Sequence, residues 1–354
     1  GLTDKAEENY KKAISIDPKH IGSHYNLALL YEIRGQLKEA LIVVNKGLQY
    51  DISHPELNYA NGMMSLKSGN FKKGWKNYEY RWKVSPHNEV IWPFPDKPLW
   101  RGERGKHVAL WREQGIGDDI IFLSLVPEAK EMCSSLSVYV DPRLQDLCKR
   151  AMPEINFVKD IKDIECEYHL PLGSVPGLIR NDISDFDRTV KGYLKADPQR
   201  VESIRNELNL EGKTAIGISW KSFDTKYQTK SVQLIDMEPI FSGLDVVLVN
   251  LQYGDVKDEI REFKEATGID VIQCASVDNR EDLDGLAALI EVCDLVVSTT
   301  NVTVHLAGAL AKKTWVLLPY VPNFWWGSDR SDSIWYPNAS LYRQPKLNDW
   351  DSVY

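Results

Sequence analysis

From residue 1 the apolar positions recur at helical spacing, and the pattern repeats. Ala6, Ala40 and Gly74 are 34 residues apart, as are Gly35 and Gly69, and Tyr10, Val44 and Tyr78. A period of 34 is that of the tetratricopeptide helix pair, in which small residues let paired helices approach and large ones fill the space between them. In "SHYNLALLYEIRGQLKEALIVVNKGLQYD" the packing positions are Leu27, Ala28, Tyr31, Gly35, Ala40, Gly47 and Leu48. "DKAEENYKKAISIDP" before it supplies a second helix only, closed by Pro18, which implies that a longer N-terminus precedes residue 1. A third copy, "ELNYANGMMSLKSGNFKKGWKNYEYRW", ends in Trp75, Tyr78, Tyr80 and Trp82. These serve as ordinary core, or they cover the open apolar end of the array by docking on the next domain.

The helical period stops at "SPHNEVIWPFPDKPLWRGE", where Pro86, Pro93, Pro95 and Pro98 forbid a continuous helix. Beyond it short apolar runs alternate with amphipathic stretches, the pattern of βαβ units and parallel sheets. The strand runs are "HVALW", "LSVYV", "INFV" and "EYHLPLGS". After the charged helix "DPQRVESIRNELNLEGK" they resume as "TAIGISW", "DVVLVNLQ", "DVIQ", "DLVVST" and "TWVLLP". The expected fold class is therefore α + α/β. Repeats over 1–84 and a proline-rich linker over 85–105 lead to two Rossmann-like domains over 106–205 and 206–354, an arrangement known as GT-B. The last segment, "NDWDSVY", stops before a closing helix that such a fold is expected to have.

Composition narrows the partners. A net charge of −8 in 354 residues leaves no basic footprint for nucleic acid or an anionic membrane. An anionic ligand must therefore meet a local cluster of positive charge. No apolar run approaches the roughly 20 residues of a membrane span, and no signal peptide opens the sequence. Five scattered cysteines, without metal-ligand spacing, fit a reduced, cytoplasmic setting. There is no Asp-x-Asp between small apolar residues and no His/Cys cluster, so metal-independent chemistry with no permanent cofactor is expected.

Three stretches carry candidate chemistry. In "WREQGIGDDIIF" a strand runs through a tight turn at Gly115 and Gly117 into a helix start bearing Asp118 and Asp119; Glu113 and Gln114 stand beside them. In "ISWKSFDTKYQTKS" Lys221, Lys226 and Lys230, with Ser219, leave a strand end, suiting a diphosphate and its leaving charge or forming a solvated basic loop. In "DLVVSTTNVTVHLAGAL" Ser298, Thr299, Thr300 and Asn301 are good N-caps of a helix whose N–H groups suit an anion, with Thr299, Thr300, Asn301 and Thr303 as candidate contacts. His305 sits one turn in, for a phosphate or sugar hydroxyl or for packing beside Gly308. Gln252 in "LQYGD" offers a base or ribose contact, and His169 in "EYHLPLGS" a group lining an acceptor. Trp325, Trp326, Trp335 and Tyr336 stack on a base or sugar, with Asp329, Arg330 and Asp332 beside them, or pack against the repeats.

Taken in order, "YEYRW", "PLWRGE", "WREQGIGDDIIF", "HLPLGSVP", "GISWKS", "LQYGD", "TVHLAGAL", "WVLLPYVPNFWW", "WYP" and "RQPKLNDWDSV" resemble bacterial tetratricopeptide proteins with a C-terminal glycosyltransferase-like domain. These are related to the heptosyltransferases and, distantly, to protein O-GlcNAc transferases. The resemblance implies a nucleotide-sugar donor and a hexosyl- or heptosyl-transferase activity. Lys221 and Lys230 then fall at the diphosphate and Asp118 at the position proposed as base or acceptor-binding group. A protein or glycan acceptor would be presented by the repeats. Many relatives have Asp-Thr where this chain has Thr300-Asn301, a departure that favours a non-catalytic scaffold as the rival reading. An epimerase on the same fold has no use for the repeats.

Overall fold

The computed structural model describes residues 2–188, 191–222 and 230–354. It holds N-terminal helices followed by two parallel sheets, consistent with the two Rossmann-like halves of a GT-B fold. By packing, the chain falls into two compact units. One comprises Gly1–Trp92, Pro176–Arg188 and Tyr320–Arg330; the other comprises Pro93–Val175, Thr189–Pro319 and Ser331–Tyr354.

In the first unit the repeats run as α1 (Leu2–Ile16), α2 (Ile21–Ile33), α3 (Leu37–Leu48), α4 (Pro55–Lys67) and α5 (Phe71–Tyr78). Leu27, Ala28, Tyr31, Ala40, Val44, Leu57 and Met64 form their core. The 34-residue period is visible in the backbone. Gly35 and Gly69 have φ of 72° and 82° and end α2 and α4 identically. At each end two N–H groups turn back onto the helix: Gly35 onto Glu32 and Gln36 onto Tyr31, then Gly69 onto Leu66 and Asn70 onto Ser65. That double bond pattern needs a left-handed residue, which is why glycine recurs there. Gly69 has open space around an added Cβ, so Gly69→Ala is expected to cost about 1–2 kcal/mol from strain alone. At Gly35 a Cβ would also lie 2.7 Å from the Tyr320 hydroxyl, so Gly35→Ala should cost more. Urea titrations of the two variants compare them directly, and equal losses would deny Tyr320 a packing role.

The aromatic end of the third copy has partners within the same unit. Trp75 is 3% exposed and its Nε1 donates to Arg180 O at 2.8 Å. Its ring centroid lies 5.9 Å from Phe324 and 6.4 Å from Trp325, and Phe71 meets Phe186 at 4.9 Å. Trp325 and Trp326 are thus buried packing residues, not exposed platforms for a base.

In the second unit one sheet has the order β3-β2-β1-β4, with β1 (His107–Trp111), β2 (Ser135–Tyr139), β3 (Asn156–Phe157) and β4 (Tyr168–Pro171). The other has the order β10-β9-β8-β5-β6-β7. Its strands are β5 (Ala215–Ser219), β6 (Val247–Asn250), β7 (Val271–Ile272), β8 (Leu295–Thr299), β9 (Thr314–Leu318) and β10 (Ala339–Arg343). All pairings are parallel. β10 has no counterpart among the expected strands, because only Ala339 and Leu341 face inward and "ASLYR" alternates instead of running apolar.

Candidate active site

Strand order reverses between β1 and β4 in one sheet and between β5 and β8 in the other, and such switch points are where open α/β sheets place ligands. The loops leaving β1, β5 and β8 are those that carry the candidate acids, lysines and anion-binding helix start.

After β1 the chain passes through Arg112–Gly115 into α6 (Ile116–Leu123), with Gly115 as its N-cap. Asp118 closes that turn: one carboxylate oxygen accepts the Gly115 N–H at 3.2 Å. Burial, then the neighbouring Glu113 charge, raises the Asp118 pKa to about 6, with backbone N–H groups and Lys230 opposing. Glu113 is held beside it by the Gly173 N–H, 3.2 Å from Oε1, and by Gln114 Nε2 at 3.1 Å. Gln114 is thereby a support for Glu113. Asp119 points away into the fold, where its carboxylate pairs with Arg112 Nε at 2.8 Å and accepts the Asp141 N–H at 3.1 Å. It ties α6 to the end of β2. Gly117 is needed for contact: a Cβ there would lie 3.0 Å from His305 Cδ2.

On the second sheet most candidates are fastened to each other. Gln252 is 1% exposed and its Oε1 receives Ser219 Oγ at 3.0 Å and the N–H groups of Trp220 and Lys221, both at 2.9 Å. Asn301 donates to Ser219 Oγ at 2.7 Å while its Oδ1 accepts the Thr303 N–H at 3.0 Å. Thr303 Oγ1 donates to Leu251 O. Thr299 is fully buried, whereas Thr300 is partly exposed. The expected base contact from Gln252 and phosphate contacts from Ser219, Asn301 and Thr303 thus fall on side chains that already hold internal partners. These groups hold the loops after β5, β6 and β8 together, and what they offer a ligand is the shape of those loops.

The lysines separate. Lys221 forms an ion pair with Glu259, which also accepts Trp220 Nε1 at 2.8 Å. Lys226 lies outside the described residues. Lys230 is the one whose charge acts on both Asp118 and His305.

His305 belongs to the helix Val302–Ala309, is 9% exposed, and has Nδ1 3.1 Å from Tyr336 Oη. Burial, then Lys230, lowers its pKa to about 3, so the ring is neutral at physiological pH. Tyr336 packs on Gly308, where a Cβ would be 2.3 Å from its ring. His169, expected on an acceptor side, is buried with internal partners at both ring nitrogens. It is 2% exposed, its Nδ1 accepts Trp111 Nε1 at 3.0 Å, and its Nε2 faces Lys97 O at 3.2 Å.

The structure thus brings Asp118, Gly117, Glu113 and His305 together, within the influence of the Lys230 charge, and adds the Tyr336 hydroxyl. The sequence pattern singled out that tyrosine for its ring face; its place two residues before Asn338, in a loop returning to β10, gave no sign of the hydroxyl contact.

Comparison with known proteins bears on the chain in pieces. Residues 9–42 match the tetratricopeptide repeat family. Over 371 aligned residues the chain is 26% identical to Protein FlbA of Caulobacter vibrioides, covering 97% of this chain and 61% of that protein. The chain therefore spans under two thirds of that relative's length. A glycosyl transferase family 9 structure from Veillonella parvula is similar at 11% identity and a TM-score of 0.48, over 68% of this chain and 87% of that one. The E. coli ADP-heptose lps heptosyltransferase II is similar at 13% and 0.45, over 66% and 89%. Likeness at this level says nothing of substrate or chemistry. Among the described residues no helix is long and apolar enough to cross a membrane.

Proposed function

We propose that the α/β part is an inverting glycosyltransferase that uses a nucleotide-diphosphate sugar, with a protein or glycan acceptor presented by the repeats. The observation that supports this most is the partly buried Asp118 carboxylate, raised to about 6, on a turn whose Gly117 lies against His305 of the helix that leaves β8. Asp118 takes the proton of the acceptor hydroxyl as that oxygen bonds to the anomeric carbon. The bond from that carbon to the diphosphate breaks, and the departing charge falls to Lys230 and to backbone N–H groups at the start of Val302–Ala309. No metal is required by this scheme. The two domains 106–205 and 206–354 are the proposed acceptor and donor sides, and Thr300, Gly115 and Gly117 line the space between them. A cytoplasmic location belongs to the same reading.

A second reading, a non-catalytic scaffold in which the transferase-like part is degenerate and the repeats do the work, is favoured by Thr300 in place of an acid and by the pairing of Lys221 with Glu259. Thermal-shift screening against UDP-, GDP-, ADP- and CMP-sugars tests both. Ligand at 100 times its Kd should add about 2.7 kcal/mol of stability. No shift with any nucleotide overturns the transferase and leaves the scaffold, while a shift with transfer or donor hydrolysis overturns the scaffold.

A further inference from the structure

The Gln114–Gly115 peptide, in the turn that carries Asp118, is held on both sides. Its carbonyl oxygen accepts Arg112 Nη2 at 3.1 Å, and its N–H donates to Asp118 Oδ2 at 3.2 Å. Both bonds belong to one planar unit, which cannot turn its carbonyl without turning its N–H. A cation on the carbonyl also polarises the peptide, which makes the N–H a stronger donor. The order is guanidinium, carbonyl, N–H, carboxylate, so each bond favours the next.

Arg112 is itself fixed from behind. Its backbone N–H donates to Tyr139 O at 3.1 Å, at the end of β2. Its Nε pairs with Asp119 Oδ2 at 2.8 Å and its Nη1 with Asp141 Oδ2 at 3.2 Å, and both of these acids are buried. Asp141 is anchored in turn by Arg143, through Nε at 2.9 Å and Nη2 at 3.1 Å. Three nitrogens of one planar guanidinium thus serve three partners, a demand that the single ammonium of a lysine does not meet. Gly115 has no Cβ to hinder a flip of the peptide before it once the carbonyl is released.

We infer that Arg112 is a positioning residue for Asp118, acting through the Gln114–Gly115 peptide: it fixes the plane whose N–H holds one oxygen of the carboxylate. That the carboxylate so held receives a proton rests on the transferase reading; the coupling between the two residues does not.

The test uses the full chain without donor, so a protein that transfers nothing still answers it. Labelling with 15N-glycine marks 22 residues, and the Gly115 amide is the signal lost in Gly115→Ala. In the wild-type protein its proton shift should follow the titration of Asp118, at about pH 6, and Asp118→Asn should abolish that dependence. Arg112→Lys keeps the positive charge beside Asp119 and Asp141 and gives up the contact to the carbonyl. It should flatten the Gly115 titration and speed exchange of that amide with solvent. The Asp118 midpoint, read from its 13C carboxyl shift, should rise, because the N–H that favours the charged form is no longer aimed at it. Glu113, Lys230 and Asp119, which also act on Asp118, and His305 and Tyr336, which face the same turn, are identical in the two proteins and do not produce the difference. A Gly115 shift indifferent to Asp118 in the wild-type protein overturns the inference, whether or not Arg112→Lys folds. An unaltered Gly115 titration in folded Arg112→Lys overturns it as well, since Arg112 would then act by charge alone.

Discussion

If Asp118 is the general base of the proposed transferase, Asp118→Asn will lower transfer by roughly 10²–10⁴-fold, the usual contribution of a positioned general base, while leaving the fold intact. The two roles of this carboxylate separate in that variant. Asparagine keeps an oxygen for the Gly115 N–H, so the turn into α6 stays closed. It cannot accept the acceptor's proton. The pH profile gives a second reading of the same residue. A carboxylate raised from 3.8 to about 6 is held protonated in the fold below that value, so the base form fills as pH rises through about 6, and kcat/KM should rise with it. The stability sign is opposite. Because the folded state binds this proton more tightly than the unfolded chain, stability falls from about pH 4 to about pH 6, and Asp118→Asn should not melt lower than wild type at pH 8. Initial rates from pH 5 to 8 measure the limb. A variant that retains the full rate would reduce Asp118 to a helix cap.

What the sequence made legible was what neighbouring residues decide together. Gly35 and Gly69 mark the repeat because each must adopt a left-handed conformation, and that demand survives in the residue type. β1, β5, β8 and β9 were readable because burial on both faces makes them nearly continuously apolar. "ASLYR" is half-buried and escaped the same criterion. The acids after β1 fell at the switch point because any loop leaving the central strands does so.

Polar residues at strand ends were harder, since a side chain that meets a ligand and one that meets the next loop have the same chemistry. Ser219, Gln252 and Asn301, expected as ligand contacts, also fasten the loops to one another. Lys221 looked like a free cation until Glu259, 38 residues away, came to meet it.

Trp75→Ala is expected to cost the first unit about 3–5 kcal/mol, the range for removing a fully packed aromatic side chain. Trp75 is both a packing residue and a donor. Its ring meets Tyr78, Phe324 and Trp325, and its Nε1 satisfies the carbonyl of Arg180. Truncation opens a cavity against two segments that carry only short helical turns of their own, Pro176–Arg188 and Tyr320–Arg330. Amide hydrogen exchange in those segments should accelerate more than in α2 and α3, whose core of Leu27, Ala28, Tyr31, Ala40 and Val44 does not include Trp75. Trp75→Phe separates the contributions: it retains most of the ring contact and leaves the Arg180 carbonyl unmet, for a loss of about 1–3 kcal/mol. Urea unfolding of both variants decides the matter. A loss below about 1 kcal/mol for Trp75→Ala would mean that the neighbouring aromatics close over the gap, and the segments would then be held by Phe71 on Phe186 and Tyr78 on Phe324.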